Sequence, residues 1–198
     1  MSLLPPTLDT ARLHLRPFAD DDADALFALQ SNAYVLRFWD SSPWTDHARA
    51  DTFLEDCRRM ADEGTGARVV IERRSDGAFL GWCSIARWNP GFRSASVGYI
   101  LDATAWGKGY ATEAVRALLG WAYATFDLNR VAAEVDTRNP ASAHVLEKLG
   151  FLREGTARED CIVDGVVSDT WTYGLLRRDW SDAIGSAQIH GEAARGPS

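Results

Sequence analysis

The stretch WGKGYATEAV at 106–115 decides the fold, because it lies where a strand ends and an amphipathic helix begins. The segment before it, SASVGYIL at 94–101, has the apolar run of a strand. The helix face that follows is apolar at Val115, Leu118, Leu119, Ala122 and Phe126. A further strand, NRVAAEVD at 129–136, comes after the helix. Because a helix crosses between the two strands, we expect them to lie parallel in one sheet.

Antiparallel hairpins are predicted on both sides of this unit. The segment 67–88 contains two apolar runs joined by Asp76-Gly77, which is a strong hairpin signal. Asp164-Gly165 marks a second hairpin near the end of the chain, and the alternation in RLHLRPF at 12–18 is typical of a first strand. Together with the helices between them, these strands predict a mixed α/β (α+β) sheet in one domain.

The length and composition indicate one globular domain. The chain has 198 residues, of which 46% are hydrophobic and 25% are charged. We expect a single domain over residues 1–180 and a flexible C-terminal tail at 181–198, where Gly, Ala and Ser dominate without a clear pattern. The start of the chain lacks the features of a signal peptide, and no apolar run is long enough to span a membrane, so a cytoplasmic protein is expected.

Charge and cysteine content exclude several classes of protein. A net charge of −7 argues against nucleic-acid binding, which needs a basic face, and it is compatible with cationic substrates. Solubility alone also explains such acidity. The three cysteines form no CxxC pair and the histidines lack ligand spacing, so neither a disulfide framework nor a metal site is expected.

The glycines of WGKGYATEAV raise the question of a phosphate-binding loop. The P-loop pattern fails because no glycine precedes Gly107 at the required spacing, and the dinucleotide pattern fails because Thr112 takes the place of its third glycine. A strand–turn–helix junction with glycine still leaves backbone amides unpaired at a helix start, where anions bind. The amides concerned are those of Lys108, Gly109, Tyr110, Ala111 and Thr112. An ordinary glycine-containing turn is the alternative.

Four blocks in order resemble the GNAT acetyltransferase superfamily, and its RimJ/RimL-like branch in particular. Trp106–Ala111 fills the acetyl-CoA motif Q/R-x-x-G-x-G/A, with tryptophan in place of the usual polar first residue. The segment 139–151, from Asn139 and Ser142 to VLEKLGF, resembles the second block of that branch. The segments 8–29 and 164–180 resemble its beginning and its end.

This resemblance implies a fold, a cofactor and site residues. The fold is a mostly antiparallel mixed sheet, flanked by helices, whose parallel fourth and fifth strands splay apart. Acetyl-CoA is implied as the co-substrate, with its pyrophosphate on the amides from Lys108 to Thr112 and its pantetheine along Tyr99, Ile100 and Leu101. Asn139 and Ser142 are implied to hold the pantetheine arm and the thiol, and Ser142 is the predicted partner of the leaving sulfur. Asn139 before a proline is also a good helix N-cap.

The acceptor and the general base are less determined. Many relatives carry a glutamate where this chain has Ser96, which leaves Glu134, Asp136 and Asp169 as candidate bases, with plain solvent exposure as the alternative. Aromatic residues that are predicted to line the acceptor site are Trp39, Trp44 and Trp88, although core packing explains Trp88 equally well.

We expect acetyl transfer to a primary amine by direct attack in a ternary complex, because acyl transfer to an amine requires no enzyme nucleophile. The acceptor is a protein or peptide N-terminus or a small amine, and the protein is a monomer or a homodimer. A catalytically weak or inactive acetyl-CoA-binding regulatory module is the alternative, and the loss of the glutamate at position 96 favours it.

Overall fold

One mixed sheet forms the centre of the fold. The computed structural model describes residues 6–180, so the tail predicted at 181–198 lies outside the described residues. Within that range eight strands form a single sheet in the order β1-β2-β3-β4-β5-β6-β8-β7. The strands are β1 (Leu8–Asp9), β2 (Leu13–Pro17), β3 (Ala67–Arg73), β4 (Ala78–Asn89), β5 (Ser94–Leu101), β6 (Arg130–Asp136), β7 (Leu152–Val163) and β8 (Val166–Leu176).

Helices cover both faces of the sheet. The helices are α1 (Ala23–Gln30), α2 (Ala33–Leu36), α3 (Ala48–Glu63), α4 (Tyr110–Thr125) and α5 (Pro140–Lys148), with short 3₁₀ turns at Asp20–Asp22 and Ala103–Ala105. The apolar faces of α4 and α5 pack with one side of the sheet in a large buried cluster. A second cluster joins α1, α2 and α3 to the opposite side through Trp82 and Ile100. Over residues 6–180 no helix combines the length and the apolar character that a bilayer span requires.

The parallel pair that the sequence predicts is β5 with β6, and the two strands separate after a short contact. They pair only from Ser94–Arg130 to Ser96–Ala132 among the described residues. Beyond that point β5 continues its pairing with β4 as far as Leu101, and β6 continues with β8 as far as Asp136. The mixed sheet with its parallel pair is therefore confirmed, and the divergence opens a gap in the middle of the sheet.

The hairpins are also confirmed, while two small elements were not predicted. Gly77 and Gly165 have φ of 69° and 80° in the two predicted turns, a backbone conformation that glycine adopts at little cost. Strand β1 has only two residues, which is too short to leave a pattern in the sequence. The aromatic segment 31–46 has little periodicity in its sequence and so predicts a loop, yet it contains α2. That turn forms because the Asn32 side chain accepts a hydrogen bond from the Tyr34 amide at 3.0 Å and because Val35 and Leu36 are buried.

Candidate active site

A cavity of about 470 Å³ lies where β5 and β6 diverge. Its walls are the second half of β5, the end of β6, the start of α4, the inner side of α5 and the segment 35–39. The volume falls within the range of sites for small molecules and cofactors. The gap in the sheet is thus a binding space that opens between elements distant in sequence.

The start of α4 forms one end of this cavity. Gly107 and Gly109 have φ of 72° and 79°, so both adopt the left-handed conformation, and Gly109 is the residue that precedes the helix. The first hydrogen bond of the helix runs from the Glu113 amide to the Gly109 carbonyl at 3.1 Å. The amides before Glu113 therefore have no acceptor within the helix. These amides and the helix dipole favour an anion at this end.

The residues predicted for this anion site are placed around it with one exception. Gly109, Tyr110, Ala111 and Thr112 all line the cavity. Lys108 is exposed and is not among the lining residues. The Lys108 side chain is therefore not assigned a role inside the cavity. Only its backbone amide remains a predicted anion ligand.

An arginine from the N-terminal strand region holds this loop, and the sequence did not indicate it. Arg12 donates from Nη1 to the Lys108 carbonyl at 2.9 Å and from Nε to Glu113 Oε2 at 2.7 Å. Its guanidinium also lies 4.7 Å from the centre of the Tyr110 ring. Thr10 Oγ1 donates to Glu113 Oε1 at 2.7 Å. These contacts join segments about a hundred residues apart, and no local pattern announces them.

The same contacts determine the protonation of Glu113. Burial by itself raises the pKa of this carboxyl, but the hydrogen bonds from Thr10 and Arg12 outweigh burial, so the pKa lies below its ordinary value. Glu113 is therefore a carboxylate that fixes Arg12 beside the start of α4.

The start of α5 forms the opposite wall. The Asn139 side chain accepts a hydrogen bond from the Ser142 amide at 3.2 Å, so Asn139 is the N-cap of α5, and Pro140 follows as its first residue. Asn139 and Ser142 both line the cavity. Asn139 is therefore a helix cap, as its position before a proline predicted, and it also lines the cavity.

Tyr99 contacts Ser142 in a way that the sequence did not predict. Its hydroxyl donates to the Ser142 carbonyl at 2.9 Å and lies 2.9 Å from Ser142 Oγ. Burial raises the pKa of Tyr99, and the hydrogen bond with Ser142 opposes this only in part. Only the backbone of Tyr99 had been assigned to the site, because nothing in the sequence pairs positions 99 and 142.

Two carboxylates two residues apart on β6 have different surroundings. Glu134 and Asp136 both line the cavity, and they alternate with Ala133 and Val135, which are buried in the cluster with α4 and α5, so the two carboxylates lie on the other face of the strand. The Asp136 side chain is bound by Arg138 Nε and Nη2 at 2.9 and 2.6 Å. Burial raises the pKa of Asp136, but the hydrogen bonds and charge of Arg138 lower it by more than burial raises it. The pKa of Asp136 therefore lies below its ordinary value. The Glu134 side chain is 63% exposed, with Arg87 Nη1 at 3.9 Å.

Ser96, at the position of the expected glutamate, faces the same side of the sheet as Glu134. Its register partner is Ala132, and alternation along β6 puts Glu134 on the same face as Ala132. Ser96 Oγ donates to the Ala86 carbonyl at 3.3 Å, and Ser96 does not line the cavity. Glu134 therefore supplies a carboxylate on the sheet face where this chain lacks one at position 96.

The predicted aromatic wall is divided between cavity and core. Trp39 lines the cavity and packs edge-on against Trp82, with ring centres 5.8 Å apart. Trp44 is only 8% exposed and belongs to the buried cluster around α1–α3. Trp88 packs against Phe126 with ring centres 5.2 Å apart. Trp44 and Trp88 therefore lie outside the cavity, because their indole rings are used to fill the core.

Asp169 also lies apart from the cavity. Its carboxylate accepts a hydrogen bond from the Glu159 amide at 2.8 Å, within the β7–β8 hairpin. Across the described part of the chain, no group of three or more His, Cys, Asp or Glu side chains is arranged to hold a metal ion. Of the three candidate bases, Asp169 lies outside the cavity and Asp136 is bound by Arg138, so Glu134 is the exposed carboxylate within the cavity.

Comparison with known proteins gives this cavity its context. Residues 12–152 match the Acetyltransferase (GNAT) domain family. YdaF of Bacillus subtilis, provisionally named a ribosomal N-acetyltransferase, is 33% identical over 86% of this chain and 92% of its own length. Escherichia coli spermidine N(1)-acetyltransferase is 26% identical over 76% of this chain and 78% of its own length. The structure of Mycobacterium smegmatis RimJ with CoA-disulfide superimposes with a TM-score of 0.77 at 26% identity, covering 89% of each chain.

The match covers the elements that build the cavity. Residues 12–152 run from β2 through α5 and so include both diverging strands and both helix starts. The chain belongs to the GNAT acetyltransferase family, in its RimJ/RimL-like branch, and is an acetyl-CoA-dependent N-acetyltransferase.

Proposed function

We propose that the cavity between β5 and β6 binds acetyl-CoA at the α4 end and transfers the acetyl group directly to a primary amine that enters beside Trp39. The observation that carries this proposal is the gap itself, which places free helix-start amides, Ser142 and Glu134 along one continuous space. A ternary complex requires room for both substrates at once, and a space with two chemically different ends provides it.

The α4 end fits the anionic part of CoA. The amides from Lys108 to Thr112 precede the helical ladder, and Gly109 allows the backbone to approach a phosphate closely. The pantetheine arm is proposed to pair with the open edge of β5 at Tyr99, Ile100 and Leu101. The Leu101 carbonyl already accepts from Trp106 Nε1 at 2.8 Å, so the residues before it offer the free edge.

The chemistry needs an unprotonated amine, stabilisation of the thioester oxygen and a partner for the leaving sulfur. The amine nitrogen bonds to the carbonyl carbon, the carbon–sulfur bond breaks, and the nitrogen gives up a proton. Glu134 is proposed to accept that proton directly or through water, since it lines the cavity, is 63% exposed and has its Arg87 partner at the long distance of 3.9 Å. Backbone amides of β5 are proposed to stabilise the oxygen.

Ser142 is proposed to donate a hydrogen bond to the leaving sulfur, with Asn139 fixing its helix turn. We expect Ser142→Ala to lower the single-turnover rate about tenfold, which corresponds to an increase of roughly 1.4 kcal/mol in the activation free energy. The change in acetyl-CoA affinity should be smaller. The measurement is rapid-mixing detection of free thiol, with CoA affinity from calorimetry. A variant with the wild-type rate would remove Ser142 from the mechanism.

The acceptor is proposed to be a cationic amine, either a small polyamine or the N-terminus of a peptide. Glu134 gives the acceptor end a carboxylate, and Trp39 gives it an aromatic face, which together suit an ammonium group. The relatives named for spermidine and for ribosomal acceptors belong to these two classes.

A screen for acetyl-CoA consumption decides between these acceptors. The panel contains spermidine, an aminoglycoside and peptides with varied N-termini, and mass spectrometry identifies the acetylated amine. We expect turnover with at least one class of amine. Binding of CoA without turnover on any of them would contradict the proposed function.

A further inference from the structure

Two hydroxyl groups from different elements meet inside the cavity. Tyr99 lies on β5 and Ser142 lies in the first turn of α5, and their hydroxyl oxygens are 2.9 Å apart. The Ser142 carbonyl lies within 2.9 Å of the same phenol oxygen. The Tyr99 hydroxyl therefore contacts Ser142 at two atoms, its carbonyl oxygen and its Oγ.

The number of protons limits what this arrangement can do. A phenol and a serine hydroxyl each carry one proton and can each also accept. If Tyr99 donates to the Ser142 carbonyl, the serine proton points at the phenol oxygen. If Tyr99 donates to Ser142 Oγ, the serine proton is free to point into the cavity. The second state is the one that presents a hydrogen-bond donor to a leaving sulfur.

We propose that Tyr99 is a positioning residue that holds the Ser142 hydroxyl and directs its proton toward the sulfur of acetyl-CoA. The inference rests on the proposed role of Ser142 and adds a residue to it. Tyr99 was assigned to the cofactor only through its backbone, whereas this role belongs to its side chain.

A full proton relay from Tyr99 is disfavoured. It would leave a phenolate on a side chain whose surroundings already disfavour the ionised form, since burial raises the pKa of Tyr99. Tyr99 therefore keeps its proton throughout. In the state that serves the reaction it donates to Ser142 Oγ instead of to the Ser142 carbonyl, and the serine then stabilises the thiolate by a hydrogen bond. The thiolate takes its proton from solvent, since Glu134 is proposed to accept the proton of the amine.

The test uses Tyr99→Phe, which keeps the ring and removes the hydroxyl. We expect the single-turnover rate to fall about tenfold while the dissociation constant for acetyl-CoA changes less than about twofold. Tyr123→Phe is the matched control, because Tyr123 is a buried tyrosine whose hydroxyl donates to a backbone carbonyl, that of Leu175, at 3.0 Å, away from the cavity. This control should keep the wild-type rate whatever it does to the melting temperature.

A double-mutant cycle separates positioning from a general structural effect. In the Ser142→Ala background, Tyr99→Phe should cause no further loss of rate, because its target is gone. A wild-type rate for Tyr99→Phe alone, or an equal tenfold loss in both backgrounds, would overturn the inference while leaving the proposed function intact. A wild-type rate for Ser142→Ala would instead remove the proposed role of Ser142, and this inference with it.

Discussion

Glu134 and Asp136 show at the scale of single residues how the same side-chain chemistry takes different roles. They stand two positions apart on one strand and face the same cavity. Arg138 donates three hydrogen bonds to Asp136, one from its backbone amide and two from its guanidinium, and they keep the pKa of Asp136 below the ordinary value, so Asp136 is a weak proton acceptor. Glu134 is 63% exposed and lines the cavity, which leaves it available to take a proton in the proposed reaction.

We predict that Glu134→Gln lowers turnover more than tenfold near neutral pH, with little change in CoA affinity. The loss should shrink as the pH rises above the acceptor's own pKa, because the amine then arrives without its proton. Rate against pH for the two enzymes measures this difference.

Asp169→Asn is the matched control for that experiment. Asp169 was also a candidate base, but it lies in the β7–β8 hairpin, and an asparagine keeps the oxygen that accepts from the Glu159 amide. The control should retain the wild-type pH profile. A loss of the same size in both variants, or none in Glu134→Gln, would exclude Glu134 as the base.

Single residues also mark a limit of sequence reasoning. Period-two alternation placed Glu134 and Asp136 on one face, but it did not say which face the cavity occupies. Trp39, Trp44 and Trp88 are chemically alike, and only packing partners far along the chain distinguish a wall residue from core residues.

At the scale of elements, the start of α4 depends on a strand region that the sequence does not link to it. Arg12 contacts the Lys108 carbonyl and the Glu113 carboxylate, and so fixes the turn that leaves the amides free. The turn itself was predictable from Gly109, because a helix start after glycine is a local feature. The arginine was not predictable, because its partners lie about a hundred residues away.

We predict that Glu113→Gln lowers the free energy of unfolding by about 1–2 kcal/mol near neutral pH, since a hydrogen-bonded charge pair is replaced by a neutral amide. The pKa of folded Glu113 lies below its unfolded value, so this stabilisation is present above the unfolded pKa. It is lost as the pH falls through the folded pKa. Denaturant unfolding of both proteins from neutral to acidic pH measures the difference, which should disappear in acid.

Asp56→Asn is the control for that series. Asp56 pairs with Arg59 on the exposed face of α3, where ion pairs contribute little. It should change stability by less than about 0.5 kcal/mol at any pH. A difference for Glu113→Gln that is equally small near neutral pH would contradict the role assigned to the Arg12–Glu113 contact.

For the whole molecule, the decisive feature is a sheet that is continuous at its ends and open in its middle. The parallel contact of β5 with β6 ends at Ser96–Ala132, and the strands then follow different partners. The crossover helix, the hairpins and the parallel pair could be predicted, because each leaves a local pattern of apolar residues and turns. The joining of α4, α5 and α2 around the gap depends on tertiary packing. Family resemblance anticipated the parts of α4 and α5, and nothing in the sequence anticipated α2.

The central claim is that the start of α4 binds the pyrophosphate of acetyl-CoA, and calorimetric titration of CoA into Gly109→Val tests it most directly. Gly77→Val is the control, since Gly77 has φ of 69° against 79° for Gly109 but lies in a hairpin turn with open space around it. Both variants place a β-branched side chain at a positive φ, and their folding is checked by circular dichroism. We predict wild-type affinity for Gly77→Val and at least tenfold weaker binding for Gly109→Val. Wild-type affinity in a folded Gly109→Val protein would contradict the account.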